Sequence, residues 1–130
     1  MNLLRNRELL SLSALHFLND FFSGSIPILL AAHTLSLGLS LSQVGQLALA
    51  FSFASSLSQP LFGLVADGPR APWLALGGAL CTVVFFGVAG FAPSFGVLLL
   101  LVLGVGLGSG AFHPPGGGNV SRVVEPARKN

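Results

Sequence analysis

Four long apolar runs alternate along the chain with short segments that carry nearly all of its charges. A helix rises about 1.5 Å per residue, so roughly 20 apolar residues cross the ~30 Å hydrocarbon layer of a bilayer. Each run is long enough for this. The pattern therefore predicts an all-α integral membrane protein with a single membrane domain. The predicted transmembrane helices are residues 9–32, 43–66, 72–92 and 95–120.

The composition supports a membrane protein. Of the 130 residues, 52% are hydrophobic and 8% are charged, and the mean hydropathy is +0.82, so the chain lacks the polar surface of a soluble domain. The net charge of +2 comes from short separate clusters, which argues against nucleic-acid binding. The single cysteine, Cys81, lies in a predicted helix and excludes a disulfide or a cysteine-based metal site within the chain. The sequence predicts no metal site, no cofactor and no enzymatic activity.

The basic residues predict the orientation of the helices. Four spans bring both ends of the chain to one side of the membrane, and the two loops on the opposite side contain no Lys or Arg. By the positive-inside rule, both termini and the loop 67–70 are expected in the cytoplasm of a cell with this protein in its inner membrane. A secretory signal is the alternative for the basic start, but the first run is too long and contains Asn19 and Asp20 at its middle. The basic residues are Arg5, Arg7, Arg70, Arg122, Arg128 and Lys129.

Polar residues of the first predicted helix share one face. His16, Asn19, Asp20, Ser23 and Pro27 follow one another at offsets of three and four or less. A carboxylate near the bilayer centre is costly unless it is paired, protonated or in a water-filled cavity. Asp20 is therefore the leading candidate for a proton-binding or cation-binding residue, with His16 as a possible partner. The alternative is a structural carboxyl group that is hydrogen-bonded to a neighbouring helix.

The second predicted helix carries a polar stripe. Ser52, Ser55 and Ser56 are typical of helix packing in membranes. Gln59 is too large for a close-packing position, and its amide needs partners in a dry environment. It is therefore a further candidate for the lining of a polar cavity.

Glycines mark the third and fourth predicted helices. Two overlapping small-xxx-small patterns in helix 4 predict close helix contact, and the absence of a βαβ context argues against a dinucleotide-binding loop. The segment 114–118, with two prolines and three glycines, is expected to face protein or a water-filled cavity. The glycines expected to pack closely are Gly77, Gly78, Gly87 and Gly90 in helix 3, and Gly104, Gly106, Gly108 and Gly110 in helix 4.

Three motifs resemble those of major facilitator superfamily transporters. Gly63-x-x-x-Asp67, with Arg70 nearby, resembles the loop between helices 2 and 3, and the preceding Ser-Leu-Ser-Gln-Pro is similar to the group that includes fosmidomycin-resistance exporters. His-Phe-Leu-Asn-Asp-Phe in helix 1 and Gly-Ser-Gly-Ala-Phe-His-Pro in helix 4 resemble the same group. Two positions depart from the superfamily pattern. Leu100 lies near the place of a frequent Arg, and Gly68 follows the Asp where a basic residue is usual.

The resemblance implies that the chain supplies the first four helices of an N-terminal six-helix half, in a transporter of about twelve helices. The residues expected along a proton and substrate pathway are Asp20, His16, Asn19, Gln59 and His113. The residues expected at a cytoplasmic gating loop are Gly63, Asp67, Arg70 and Arg122, with Asp67 close to Arg122.

Three functions remain open from the sequence. The first is proton-coupled export of a small molecule by alternating access, as part of a complete transporter. The second is a small four-helix multidrug exporter that acts as a dimer, although such proteins often lack so strong a charge bias. The third is a membrane remnant without transport activity. The expected partners are the bilayer, a small-molecule substrate, protons and further helices from another chain or a second copy.

Overall fold

The computed structural model describes residues 7–66 and 71–128, and for residues 117–128 it describes the backbone alone. The helices are α1 (Arg7–Gly24), α2 (Ile26–Leu37), α3 (Leu41–Ala66), α4 (Ala71–Ala89) and α5 (Phe95–Arg128). Because α1 and α2 follow one another along one span, the described residues contain four segments that are long and apolar enough to cross a membrane. This confirms the predicted all-α membrane architecture.

The segment predicted as the first helix, residues 9–32, is broken near its middle in the structure. Pro27 has no N–H to donate, and its ring crowds the carbonyl group four residues earlier. Accordingly, α1 ends at Gly24, and α2 begins beyond Ser25 with the proline in its first turn. The hydroxyl of Ser25 donates to the carbonyl oxygen of Phe21 at 2.6 Å, which satisfies one of the carbonyls at the end of α1.

The loop predicted for residues 33–42 is shorter in the structure. The second helix of the span continues to Leu37 and ends at Gly38, whose φ of 63° is in the left-handed region that glycine adopts readily. His33 is therefore a buried helical residue. Its Nδ1 lies 2.9 Å from the carbonyl oxygen of Leu29, one turn earlier.

Polar side chains define where α3 and α5 begin. The backbone N–H of Ser40 donates to Oε1 of Gln43 at 2.9 Å, and the N–H of Gln43 donates to Oγ of Ser40 at 3.3 Å, which is a capping box. At α5, the N–H of Val97 donates to Oγ of Ser94 at 3.4 Å. The predicted starts of these helices were close, but α5 continues past the predicted residue 120 to Arg128.

The central helix is α5, which packs against α3 on one side and α4 on another. Its two glycine rows are Gly104 with Gly108 towards α4, and Gly106 with Gly110 towards α3. A Cβ atom added to Gly108 would lie 2.6 Å from the backbone N of Thr82 and 2.9 Å from the carbonyl oxygen of Gly78. One added to Gly106 would lie 2.7 Å from the carbonyl oxygen of Phe51. Both predicted small-xxx-small patterns are therefore close helix contacts.

Among the glycines of α4, close packing is confined to one position. A Cβ atom on Gly78 would lie 2.7 Å from the backbone N of Phe112. At Gly77 and Gly87 it would meet nothing within 4 Å among the described residues, so these two glycines do not make the predicted close contact with the helices described. The helices thus cross closely where Gly78 of α4 meets Gly108 of α5.

Two apolar clusters lie towards opposite ends of the bundle. The larger cluster joins α2, α3 and α5 and includes Leu30, Leu47 and Val102. The smaller cluster joins α4 and α5 through Ala75, Ala79 and Phe112, with Leu15 of α1 packed against it. Only the smaller cluster adjoins the polar face of α1, where the candidate site lies.

Candidate functional site

Three side chains from α1 and α5 meet at one point. Because His16 and Asp20 are four residues apart on α1, they lie on one face, and Nε2 of His16 is 3.0 Å from Oδ2 of Asp20. From α5, Nε2 of His113 lies 3.7 Å from Oδ1 of Asp20. One ligand atom from each residue lies within 4.8 Å of the others. This group is called the His–Asp–His cluster below.

Asn19 fixes the orientation of α1 beneath the cluster. It is fully buried, and its Oδ1 accepts a hydrogen bond of 3.1 Å from the hydroxyl of Thr82 on α4. Its Nδ2 donates to Oδ1 of Asp20 at 3.2 Å. Successive helical residues point about 100° apart, since a turn takes 3.6 residues. Anchoring Asn19 on α4 therefore turns Asp20 towards α5.

Phe112 positions the two imidazole rings. Its side chain is 1% exposed, and its ring centroid lies 5.2 Å from that of His16 and 5.7 Å from that of His113, both in edge-to-face geometry. The two imidazole centroids are 5.7 Å apart. Since Phe112 belongs to the smaller apolar cluster, the imidazoles rest on a packed surface rather than on a loop.

The cluster is open on one side. The side chains of His16, Asp20 and His113 are 45%, 48% and 34% exposed. A carboxylate that faces hydrocarbon is costly, so intramembrane acidic groups face protein or a water-filled cavity. We therefore infer that the open side of the cluster does not face lipid.

Gln59 has no hydrogen bond or ion pair with the three residues of the cluster. It is a half-buried residue of α3, which packs against α5, and it makes no hydrogen bond to a described residue. The carboxylate oxygens of Asp20 lie near the ring nitrogens of the two histidines instead. The structure brings four of the five predicted pathway residues together, and the predicted place of Gln59 in the same cavity stays a prediction.

The predicted gating loop lies largely outside the described residues. Gly63 is in α3, and a Cβ atom there would meet nothing within 4 Å. Asp67 and Arg70 are outside the described ranges, and Arg122 is described by its backbone alone. The predicted approach of Asp67 to Arg122 stays a prediction.

A separate cavity of about 410 Å³ lies between the α1–α2 span and α3. Its wall is mainly apolar and includes Pro27, Leu30 and Phe51, with Ser23 and Ser52 as its polar members. These two serines were noted in the sequence as parts of polar faces. The residues that line this cavity do not include those of the His–Asp–His cluster.

Thr82 is the residue of this site that the sequence analysis missed. It is fully buried, and its hydroxyl lies 3.1 Å from the carbonyl oxygen of Gly78 as well as from Asn19, so these two acceptors share its one proton. One signal was available: Thr82 is the only hydroxyl residue within the apolar run of α4, residues 71–89. A lone hydroxyl group in a membrane helix needs a polar partner, and here Asn19 is that partner.

The chain matches known proteins over most of its length. The family model described as Major Facilitator Superfamily matches residues 12–130. The fosmidomycin resistance protein of Escherichia coli strain K12 is 33% identical over 118 residues, which are 91% of this chain and 29% of that protein. The uncharacterized MFS-type transporter YfnC of Bacillus subtilis strain 168 is 37% identical over 102 residues, which are 78% of this chain and 25% of that protein. No solved structure matches the chain.

Proposed function

Because this chain belongs to the major facilitator superfamily, we propose that it forms part of a transporter that moves a small molecule across the membrane. The resemblance seen in its motifs is confirmed by the family match. Four apolar spans and the transporter relatives make it an integral membrane protein. The chain spans between a quarter and a third of the length of these relatives. We therefore propose that a complete transporter needs further helices, which in the relatives lie outside the matched region.

The observation that carries the proposal is the His–Asp–His cluster on the open side of α1 and α5. Chains of Asp, Glu and His within membrane helices mark proton relays and ion pathways. We assign Asp20 as the proton carrier, since a protonated carboxyl loses the charge that makes an apolar environment costly. His16 and His113 would exchange the proton with Asp20, and alternating access would couple this exchange to export of the substrate.

Fosmidomycin is the first substrate to test, since the relative from Escherichia coli is named for resistance to it. The purified 130-residue chain is reconstituted in liposomes, and fosmidomycin movement is measured with and without an imposed proton gradient. Copies of the chain that assemble with one another would supply further helices, so we expect gradient-driven movement in the unmodified chain and its loss in Asp20→Asn, which keeps the size of the side chain but replaces the ionisable carboxyl group. His113→Ala should change mainly the substrate concentration for half-maximal transport.

His33→Ala provides a matched control. This variant removes a histidine of α2 that lies outside the cluster and should keep its transport activity. Gradient-driven transport in Asp20→Asn would contradict a proton-carrying role for Asp20. Absence of transport by the folded, unmodified chain would contradict independent activity and favour a remnant or a subunit that requires further helices. Family membership does not support the alternative of a small four-helix multidrug exporter.

We propose that both ends of the chain face the cytoplasm, as the one-sided distribution of Lys and Arg favours. A single cysteine placed as Ser36→Cys, in a Cys81→Ala background, should then react with a membrane-impermeant thiol reagent added outside intact cells. Ser36 is suitable because it is exposed near the end of α2. Labelling only after the cells are opened would contradict this orientation.

A further inference from the structure

The His–Asp–His cluster has the spacing of metal ligands. Two ligands bound to Zn²⁺ at about 2.0–2.1 Å and at the tetrahedral angle lie about 3.4 Å apart. Nε2 of His16 and Nε2 of His113 lie 3.0 Å and 3.7 Å from the two oxygens of Asp20, on either side of that value. These two distances end on different oxygens of Asp20, and one ligand atom from each residue lies within 4.8 Å of the others. Changes of side-chain rotamer would therefore have to close the widest separation by up to about 1.4 Å to give all three atoms a common centre.

We propose that His16, Asp20 and His113 form a binding site for a divalent transition-metal ion such as Zn²⁺ or Co²⁺. Two imidazole nitrogens and one carboxylate oxygen suit these ions. They do not suit Mg²⁺ or Ca²⁺, which prefer all-oxygen sites with more ligands. Three protein ligands leave a fourth position on the open side for water or for an anionic group of a bound molecule.

Residues next to His16, Asp20 and His113 orient these side chains, as the hydrogen-bonding neighbours of the ligands do in metal sites. The hydrogen bond from Nδ2 of Asn19 holds one oxygen of Asp20, and Asn19 is itself held by the hydroxyl of Thr82. The ring of Phe112 contacts both imidazoles at their edges. These contacts join α1, α4 and α5, so the ligands are oriented by the packed helices and not by the ion alone.

The sequence grouped these three residues in one pathway but predicted no metal site, because distances between side chains of different helices depend on how the helices pack. His16 and Asp20 at i and i+4 supply two ligands on one helical face, which is also the spacing of an ordinary intrahelical pair. Only the packing of α1 on α5 adds His113. The inference concerns binding alone and does not rest on the proposed transport.

The test uses Co²⁺ as a spectroscopic probe of the full 130-residue chain, purified in detergent with every histidine tag removed. We expect saturable Co²⁺ binding at one ion per chain, with the visible absorption of a low-symmetry cobalt complex. Zn²⁺ should displace the Co²⁺, whereas an excess of Mg²⁺ should not. Asp20→Asn, His16→Ala and His113→Ala should each raise the Kd by at least about 100-fold, the upper end of the effect of losing an outer-shell partner.

His33→Ala is the matched control, because it removes the remaining histidine of the chain and leaves the cluster intact. Circular dichroism establishes that each variant keeps its helices, and Asp20→Asn tests the site with little change of shape. Binding that is kept in His33→Ala and lost in the three cluster variants supports the proposal. The proposal is overturned if the folded chain shows no binding, if the cluster variants bind unchanged, or if His33→Ala also loses binding.

Discussion

Two sets of contacts made by α5 are held by different physical means. Towards α3 and α4, its glycines bring the backbones into contact, as where Gly108 meets Gly78. Towards α1, it is the side chains that meet, through His113, Asp20 and the ring of Phe112. The first contact is made by backbone atoms and small side chains, whereas the second is made by ionisable side chains that are about a third to a half exposed.

This difference indicates which part of the molecule can move. Without a hydrophobic drive between helices in lipid, close packing of small residues contributes much of the association. Backbones in direct contact leave no space for a sliding motion, whereas long side chains can change rotamer and keep some of their contacts. We therefore expect α3, α4 and α5 to form a rigid unit and α1 to be the more easily displaced helix. The His–Asp–His cluster lies at the boundary between them.

The largest effect is expected from Gly78→Ala. The added methyl group would lie 2.7 Å from the backbone N of Phe112 and 2.8 Å from the carbonyl oxygen of Gly108, so α4 and α5 must separate. Overpacking a close-packed contact typically costs about 1–3 kcal/mol, and backbone neighbours that cannot rotate away place this variant at about 3 kcal/mol. The measurement is the free energy of unfolding in mixed micelles, from the loss of helical circular dichroism as denaturing detergent is added.

Gly77→Ala is the control for that experiment. The same methyl group on the next residue of α4 meets nothing within 4 Å, and alanine favours the helix by about 1 kcal/mol over glycine. It should therefore be neutral or slightly stabilising. Equal losses of stability in the two variants would mean that α4 and α5 do not meet at Gly78, and the rigid unit would have to be abandoned.

A smaller effect, of about 2 kcal/mol, is expected from Thr82→Val. This change keeps the branched shape but removes the donor to Asn19, and an unpaired buried polar group costs about 1–3 kcal/mol. Hydrogen exchange should become faster in α1, while α3 keeps its protection. Thr34→Val is the control, since that hydroxyl bonds only the carbonyl of Leu30 in its own helix. Faster exchange throughout the bundle would show that α1 is not a separately displaced helix.

Much of the fold could be predicted from the order and spacing of residues along the chain. Apolar length fixes the number of spans, and the glycine rows of α5 predict close contacts from their spacing alone. Sequence periodicity placed Pro27 on a helical face but did not predict the break at Ser25. A proline within an apolar run can either kink a membrane helix or be accommodated by neighbouring helices, and the sequence does not distinguish these outcomes. The glycines of α4 look alike in sequence, but only the direction of each towards α5 separates Gly78 from Gly77.

The candidate site was predicted in part. The offset between His16 and Asp20 fixes a shared face, and this much needs no tertiary structure. The rotation of α1 about its axis does need it, since the hydrogen bond between Asn19 and Thr82 decides which residue of α1 faces α5. For Gln59, polarity alone predicted a place in the cavity. Whether it lines that cavity stays a prediction, since periodicity within one helix does not give the packing between helices.

The smallest effect is expected at Gly38, where the cost comes from backbone conformation without any packing. Its φ of 63° is left-handed, and a Cβ atom there would meet nothing within 4 Å. A left-handed residue with a Cβ atom costs about 1–2 kcal/mol, partly offset because alanine restricts the unfolded chain, so Gly38→Ala should lose about 1 kcal/mol. Gly38→Asn should lose less, since Asn adopts this conformation more readily.

Gly45→Ala is the control: a Cβ atom there also meets nothing within 4 Å among the described residues, but the residue lies inside α3, so this variant should gain about 0.5–1 kcal/mol. Unfolding free energies measured in the same micelles compare the three variants, and a loss at Gly38 as large as that of Gly78→Ala would mean that the α2–α3 connection is as closely packed as the contact between α4 and α5.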